Sequence, residues 1–373
     1  MKQRVFVTGA TGGMGFASLK EMLKDSDRQN IVILARNSEK NRNILKPYTE
    51  TPGLEIVWGD LNNYDDVLKC VKGCDLILHI AAFVSPAADY YAVSKVASER
   101  LVIESGLKYW VSLRQTGIIG RAMAEIEDAI MFHNCFDNVL EYCSDRDSAR
   151  AMKNLCAFFH DGTLDESFWG HIYNIGGGAP CRISTYEMYR IMYGAIGMTN
   201  LDYMLSPKKE AALNFHGQYY LDGDKLEKYL HFRHDSMQYF YDCYLENLGA
   251  LCTVSKILCK LPGGQRIMGS ILRKRFDKLA RTEHGTLHFI EDNVEDHIDA
   301  YWGGRKRWEA LPDKLSEMQH FTNWDAVVPI NHGYDETKQE SELDIADMRQ
   351  AAQHRNEQGR LERQAGISVC FRA

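Results

Sequence analysis

A glycine-rich turn close to the amino terminus constrains the fold of this 373-residue chain more than any other feature. The apolar run 5–7 leads directly into Thr8-Gly9-Ala10-Thr11-Gly12-Gly13-Met14-Gly15, and helix-forming residues follow. Glycines allow a tight turn and leave main-chain N–H groups open to an anion, while the helix start adds a positive dipole. Glycine turns also follow strands for purely structural reasons. Here the order strand, turn, helix predicts a phosphate-binding βαβ unit.

Short apolar runs alternate with helix-forming segments over residues 4–120. The runs cover residues 5–7, 31–34, 54–58, 76–82 and 110–113. Runs this short and continuous are typical of parallel strands buried on both faces by crossover helices. The pattern predicts an α/β fold with a doubly wound parallel sheet of the Rossmann type.

The chain divides into three predicted regions. Residues 1–120 form the nucleotide-binding domain. Residues 121–245, which lose the regular alternation, form a smaller mixed substrate-side region that returns strands to the first domain. Residues 246–373 form a helical, charged extension, in which 336–363 is polar enough for an exposed helix and 359–373 is a frayed tail that proteolysis should remove early.

Bulk composition excludes several classes of protein. A net charge of -7 gives no general attraction to nucleic acid. The ten cysteines form neither a zinc knuckle nor a redox pair, and no apolar stretch approaches the ~20 residues that span a bilayer. The amino terminus lacks the apolar core of a secretory signal. We expect free thiols and a cytoplasmic location.

The end of the second strand distinguishes between the two nicotinamide dinucleotides. A site for NAD usually offers a carboxylate to the ribose there, whereas this sequence has Arg36, with Lys40 nearby. Because a guanidinium suits phosphate oxygens, NADP is favoured over NAD, with a solvated loop cation as the alternative. Asp60, after the third strand, is placed to contact the adenine, or equally to cap the following helix.

Several motifs in order resemble the extended short-chain dehydrogenase/reductases, which include nucleotide-sugar epimerases and dehydratases. The matching pieces are Thr8 to Gly15, Gly59-Asp60-Leu61, His79-Ile80-Ala81-Ala82, Tyr91 with Lys95, Leu113-Arg114, and Tyr173-Asn174-Ile175-Gly176-Gly177-Gly178. The resemblance covers residues 1 to about 235. It implies an NAD(P)-dependent oxidoreductase or epimerase/dehydratase acting on a small hydroxyl or keto substrate, such as a sugar nucleotide, and is compatible with a homodimer.

The resemblance also implies a set of site residues. Tyr91 and Lys95 are the catalytic pair, and Lys95 also holds the nicotinamide ribose. A spacing of four places them on one helix face, where the ammonium lowers the pKa of the phenol from ~10. The implied cofactor contacts are Thr8, Gly9, Thr11, Gly12, Gly13, Met14, Gly15, Arg36, Asp60, Leu61, Ala81, Ala82 and Lys95.

One part of the family pattern is missing. A family member has a further helix and strand after its fourth strand, and that strand carries a catalytic Ser or Thr. Only residues 83–90 separate Ala82 from Tyr91, too few for a helix and a strand together. Ser85 is the nearby hydroxyl available to replace the lost one; the alternative is that it is an ordinary loop residue. The alternatives to an active enzyme are a dinucleotide-binding protein without turnover and a product that folds poorly.

Elsewhere the sequence gives weaker indications. Residues 256–281 carry eight Lys or Arg among apolar residues, a pattern that can contact an anionic membrane but more often forms a solvated face. Membrane contact is therefore not expected. His133, His160, His171 and His320 lack metal-ligand spacing, and no metal site is predicted.

Overall fold

The structure, a computed structural model, describes residues 2–81, 88–125, 128–213, 220, 222–320 and 367–372. For residues 88–92, 139 and 367–372 it describes the backbone alone. Residues 321–366, which include the predicted exposed helix 336–363, lie outside the described part of the chain.

Within these ranges the chain forms ten strands. They are β1 Gln3–Thr8, β2 Gln29–Ala35, β3 Leu54–Trp58, β4 Leu76–His79, β5 Tyr109–Gln115, β6 Gly117–Ile119, β7 Val139–Ser144, β8 His171–Ile175, β9 Arg182–Ser184 and β10 Ile367–Arg372.

The α-helices of the described residues number fourteen. They are α1 Gly13–Met22, α2 Glu39–Leu45, α3 Tyr64–Val71, α4 Ala88–Glu104, α5 Arg121–Glu125, α6 Asp145–Asp161, α7 Thr185–Ala195, α8 Asp224–Leu230, α9 Met237–Leu248, α10 Ala250–Lys260, α11 Gly264–Ala280, α12 Thr286–Glu291, α13 Glu295–Trp302 and α14 Arg305–Glu309.

Seven parallel strands form the central sheet, in the order β3-β2-β1-β4-β10-β5-β8. Val5 and Val7 of β1 and Ile31 and Ile33 of β2 are almost completely buried, as expected for strands covered on both faces. The predicted doubly wound Rossmann sheet is confirmed. Because all its strands are parallel, their carboxyl ends lie along one edge, where ligands bind in open α/β sheets.

The carboxyl-terminal strand corrects the sequence interpretation. Residues 367–372 are not part of a frayed tail: β10 lies between β4 and β5, with Val369 opposite both Leu78 and Val111. This is the position left free because only residues 80–87 connect β4 to α4. The physical reason is that two parallel strands separated by one strand width leave unpaired N–H and C=O groups, and a third strand pairs with both rows. The sheet is therefore completed by a segment from the far end of the chain.

A second, smaller sheet contains β6, β7 and β9, with β6 parallel and β9 antiparallel to β7. Side chains from this sheet share an apolar core with α7, α9, α10 and α11. A separate core under α1 and α6 belongs to the main sheet. The two cores suit the predicted division into nucleotide-binding and substrate-side regions, whose boundaries stay a prediction.

Candidate functional site: a glycine turn and a buried lysine at one sheet edge

The turn between β1 and α1 has the backbone geometry that the glycine pattern predicts. Gly9 has a φ of 72°, and a Cβ there would lie 2.7 Å from the main-chain nitrogen of Ala81. At Gly15 a Cβ would collide with the Gly9 carbonyl oxygen. Both positions therefore require glycine, Gly9 for the conformation and the approach of β4, and Gly15 for close packing of α1 against the turn.

Gly12 and Gly13 are exposed and form the open mouth of this turn. A Cβ on Gly12 would have only the Gly9 carbonyl oxygen nearby, at 3.4 Å, and one on Gly13 would meet nothing within 4 Å. No side chain caps the start of α1, and its first turn holds no acidic residue. Free N–H groups and an uncompensated helix dipole thus face the opening, which is an environment that suits a diphosphate.

Thr8 connects the turn to the end of β4. Its hydroxyl lies 2.9 Å from His79 Nδ1 and accepts a hydrogen bond of 3.2 Å from the Ala81 main-chain N–H. Burial, together with the positive charge of Lys95, holds the pKa of His79 below its usual value. A neutral imidazole therefore lies at this edge of the sheet, and the Thr8 side chain is engaged in positioning it.

Lys95 lies on α4 and is only 7% exposed. Its ammonium is one cause of the lowered pKa of His79, the last residue of β4. Tyr91 is one turn earlier on the same helix, as predicted from the spacing of four, but its side chain lies outside the described residues. The helix is observed and the lysine is buried, while the catalytic roles of Tyr91 and Lys95 stay a prediction.

Glu99 holds α4 against the sheet. Its buried carboxylate accepts a hydrogen bond of 2.7 Å from the Ser112 hydroxyl and two, of 3.2 and 3.3 Å, from the Arg114 guanidinium. Both partners are on β5. The sequence placed His79 in a family motif without assigning it a role, and it gave no indication of Glu99, although Tyr91, Lys95 and Glu99 recur every fourth residue and could have indicated a shared helix face.

Arg36 follows β2 and is exposed, so its guanidinium is accessible to a phosphate group. Its carbonyl oxygen accepts hydrogen bonds from the Ser38 main chain and the Asn41 side chain, which fixes the loop around it. Among the residues that the structure describes, the Arg36 side chain forms no ion pair with an acid. Lys40, also exposed, lies on α2 just beyond.

Asp60 is engaged in the turn before α3. One carboxylate oxygen accepts the Asn62 main-chain N–H at 2.9 Å, while Asn63 caps the helix. The alternative in which Asp60 caps the helix is thus close to what is observed, but the capping residue is Asn63. Leu61, at 39% exposed, is accessible at the same edge. Ala81 packs over Gly9, whereas Ala82 and Ser85 lie outside the described residues.

At the β8 end of the sheet, the segment after the strand is organised around a buried carboxylate. Glu141 on β7 accepts a hydrogen bond from the Gly178 main-chain N–H at 3.1 Å and one from Arg182 at 2.8 Å. Arg233 donates to the Gly176 carbonyl oxygen at 2.7 Å. These contacts hold the glycine segment that follows β8 in place. In the described part of the chain, no three His, Cys, Asp or Glu side chains converge as a metal site.

Comparisons with known proteins agree with this geometry. Residues 9–96 match the NAD(P)H-binding family. A UDP-glucose 4-epimerase of Rickettsia bellii is 29% identical over 108 residues, which are 28% of this chain and 31% of the epimerase. The matched part therefore spans about a third of the length of the curated relatives.

Two solved structures resemble the chain at low identity. A UDP-glucose-4-epimerase from Stenotrophomonas maltophila with bound NAD and formylated UDP-arabinopyranose is 13% identical, with a TM-score of 0.47, over 68% of this chain and 99% of that one. A yeast methylglyoxal/isovaleraldehyde reductase complexed with NADPH is 16% identical, with a TM-score of 0.41, over 66% and 98%.

The parallel sheet and the glycine turn define a Rossmann-type fold, and residues 9–96 of it match the NAD(P)H-binding family. Over 108 residues the chain is also similar to the UDP-glucose 4-epimerases of Rickettsia bellii.

Proposed function

We propose that this protein is an NADP-dependent oxidoreductase or epimerase-like enzyme acting on a small hydroxyl or keto substrate, such as a sugar nucleotide. One observation carries the proposal: the uncapped start of α1 follows a glycine turn that packs against the end of β4, and the pKa of His79 at that end of β4 is lowered in part by the buried Lys95 of α4. The first feature suits a diphosphate and the second suits the reacting end of a dinucleotide.

The residues present fit the cofactor. Gly12 and Gly13 leave the mouth of the turn open because neither has a side chain. A Cβ on Gly13 would meet nothing within 4 Å, and one on Gly12 would make only an ordinary contact with the Gly9 carbonyl oxygen, so an added side chain would narrow the mouth. Main-chain amides of the turn would hold the diphosphate, Arg36 would pair with the 2'-phosphate, and Lys95 would bind the nicotinamide ribose. The bound dinucleotide supplies a hydride acceptor or donor, which the side chains of the protein lack.

The protein's own residues then manage the proton. Tyr91 Oη would exchange a proton with the substrate hydroxyl, and Lys95 Nζ would favour its phenolate form by proximity. Glu99 acts on neither reactant but fixes the position of α4 through Ser112 and Arg114. Burial and the ammonium of Lys95 lower the pKa of His79, so this imidazole adds no positive charge next to the lysine.

A second candidate function, dinucleotide binding without turnover, is favoured by a specific observation. Residues 80–87 alone connect β4 to α4, and the position between β4 and β5 is taken by β10 rather than by a strand that carries the family's Ser or Thr. The hydroxyl that usually shares the substrate with the tyrosine has to come from elsewhere, Ser85 being the candidate, or is missing.

Turnover tests the proposed function. The purified chain should oxidise NADPH, followed by its absorbance, with a member of a panel of carbonyl compounds and 4-keto sugar nucleotides. Tyr91→Phe should abolish this activity because it removes the proton donor, whereas Tyr90→Phe should retain it, since the fourth residue after Tyr90 is Ser94 and not a cation. Binding of NADPH without turnover across the panel would contradict the enzyme and support the second candidate.

A further inference from the structure

Six large aliphatic side chains project into solvent from the two helices α10 and α11 and the turn between them. Their exposed fractions are 55–68%, and the residues are Leu251, Val254, Ile257, Leu261, Ile267 and Ile271. We refer to this set as the hairpin face. Exposed apolar residues are normal when single, but a contiguous set with a polar rim indicates an interaction surface.

The hairpin is attached to the body of the protein through its opposite side. In α10 the buried residues are Cys252, Ser255 and Cys259, and the Ser255 hydroxyl donates to the Ile196 carbonyl oxygen at 2.8 Å. In α11, Gly269 packs so tightly against Tyr203 that a Cβ would collide with it. With one side committed to the body, the aliphatic side chains on the other side have no place in the protein's own core.

Positive charge accompanies this face. Over residues 256–281 there are eight Lys or Arg and a single acid, Asp277, which pairs with Lys209. On α11 the residues Ile267, Ile271, Lys274 and Lys278 recur at intervals of four, three and four, so they share one exposed stripe. On α11 the aliphatic residues are nearer the turn than the lysines, whereas on α10 Lys256 and Lys260 lie between Val254 and Leu261 in the sequence. Aliphatic and basic side chains are thus exposed along both helices, a combination that suits a hairpin lying in the plane of an anionic headgroup layer.

We propose that the hairpin face docks on an anionic membrane surface, with the aliphatic residues in the headgroup and upper acyl region and Lys256, Lys260, Lys274 and Lys278 against anionic headgroups. Among the described residues, no helix combines the length and apolar character needed to cross a bilayer, so the contact is interfacial. This inference is independent of the reaction at the sheet edge, because the hairpin lies outside the nucleotide-binding unit.

A second copy of the chain is a poorer occupant. A twofold interface brings the same patch of both copies together, so the lysines of one copy would meet the lysines of the other. The acidic segment 335–347 of this chain complements the charge but offers few apolar side chains, chiefly Leu343 and Ile345, to cover six aliphatic residues. An anionic bilayer complements both properties at once.

Vesicle co-sedimentation of the full-length protein tests the proposal. Protein should sediment with vesicles of phosphatidylcholine containing about 30% phosphatidylserine and much less with phosphatidylcholine alone. Raising the salt to about 0.5 M should weaken the binding, because the charges act at an exposed surface.

Matched variants distinguish vesicle binding through the hairpin face from nonspecific adsorption. Ile267→Glu with Ile271→Glu should reduce the partition coefficient by about tenfold or more, since both apolar contacts and local positive charge are lost. Leu68→Glu with Leu101→Glu, which adds the same charge at exposed leucines of α3 and α4, should leave it near the original value. A circular dichroism melt should show that both pairs stay folded.

Three results would overturn the proposal. They are equal binding to neutral and anionic vesicles, equal loss of binding in both pairs of variants, and no sedimentation of the original protein with anionic vesicles. A concentration-dependent dimer that the Ile267→Glu and Ile271→Glu pair dissociates, without vesicle binding, would assign the face to a second copy instead.

Discussion

Buried hydrogen bonds, rather than exposed loops, set the positions of the side chains at the sheet edge. Thr8 and His79 meet across 71 positions of sequence, and Glu99 meets Ser112 and Arg114 from another element. The glycines of the turn could be predicted because their role depends on neighbours in the sequence. The roles of His79 and Glu99 could not, because their partners are brought together only by the folded sheet.

Arg36 should determine the choice of cofactor. Arg36→Ala should lower the affinity for NADPH about tenfold or more and leave that for NADH nearly unchanged, because a charge-assisted hydrogen bond to the 2'-phosphate is lost. Isothermal titration calorimetry with both dinucleotides measures this, with Arg190→Ala, another exposed arginine, as the control. Equal losses for NADPH and NADH would show that Arg36 is only a solvated loop cation.

Glu210 should make the protein less stable as the pH rises. It is fully buried, and neither carboxylate oxygen has a hydrogen-bond partner among the described residues. Burial raises its pKa well above the usual value, with Lys209 acting in the opposite direction. Because the folded state binds this proton more tightly, the stability it contributes is complete below the unfolded pKa of about 4.3 and is lost as the pH rises towards the folded pKa.

Urea unfolding at about pH 5 and about pH 8 measures this effect. Glu210→Gln should reduce the difference in unfolding free energy between the two conditions, since the amide does not titrate. Glu309→Gln, at an exposed position, should keep the original difference. An unchanged pH dependence in Glu210→Gln would mean that the carboxyl group is ionised in the folded protein.

At the scale of elements, local pattern was enough for the strands of the amino-terminal third. The apolar runs at 5–7, 31–34, 54–58 and 110–113 all lie within β-strands. The run 76–82 begins with β4 but extends beyond its last residue, His79. The sequence also indicated that an internal helix and strand are absent. It did not indicate β10, because a short strand paired with β4 and β5 depends on contacts that are remote in the sequence.

Removal of β10 should expose the two strands that it joins. Deleting residues 367–373 should lower the melting temperature and weaken NADPH binding, because β4 and α4 carry His79 and Lys95 and lose their lateral support. Deleting Ala373 alone is the control and should have little effect. A deletion of 367–373 with unchanged melting and binding would show that the sheet is stable without this strand.

At the scale of the whole molecule, the chain combines a recognisable nucleotide-binding unit with a helical part that carries no motif. The nucleotide-binding unit contains the glycine turn and α4, which carries Lys95. The helical part contains the hairpin face and a separate apolar core. The family resemblance, which covers residues 1 to about 235, predicted the nucleotide-binding unit. The exposed face could not be predicted, because a basic apolar helix has the same sequence pattern whether its aliphatic side is buried or in solvent.

The central claim is that main-chain amides of the β1–α1 turn bind the diphosphate of a nicotinamide dinucleotide. Calorimetric titration of NADPH into Gly12→Ala tests it most directly, because a Cβ there fits the free protein but narrows the mouth of the turn. Gly194→Ala, where a Cβ would meet nothing within 4 Å, is the matched control. We predict tight binding to the original chain and to Gly194→Ala, and at least about tenfold weaker binding to a well-folded Gly12→Ala. Equal affinity in all three proteins, or no binding to the original chain, would contradict the claim.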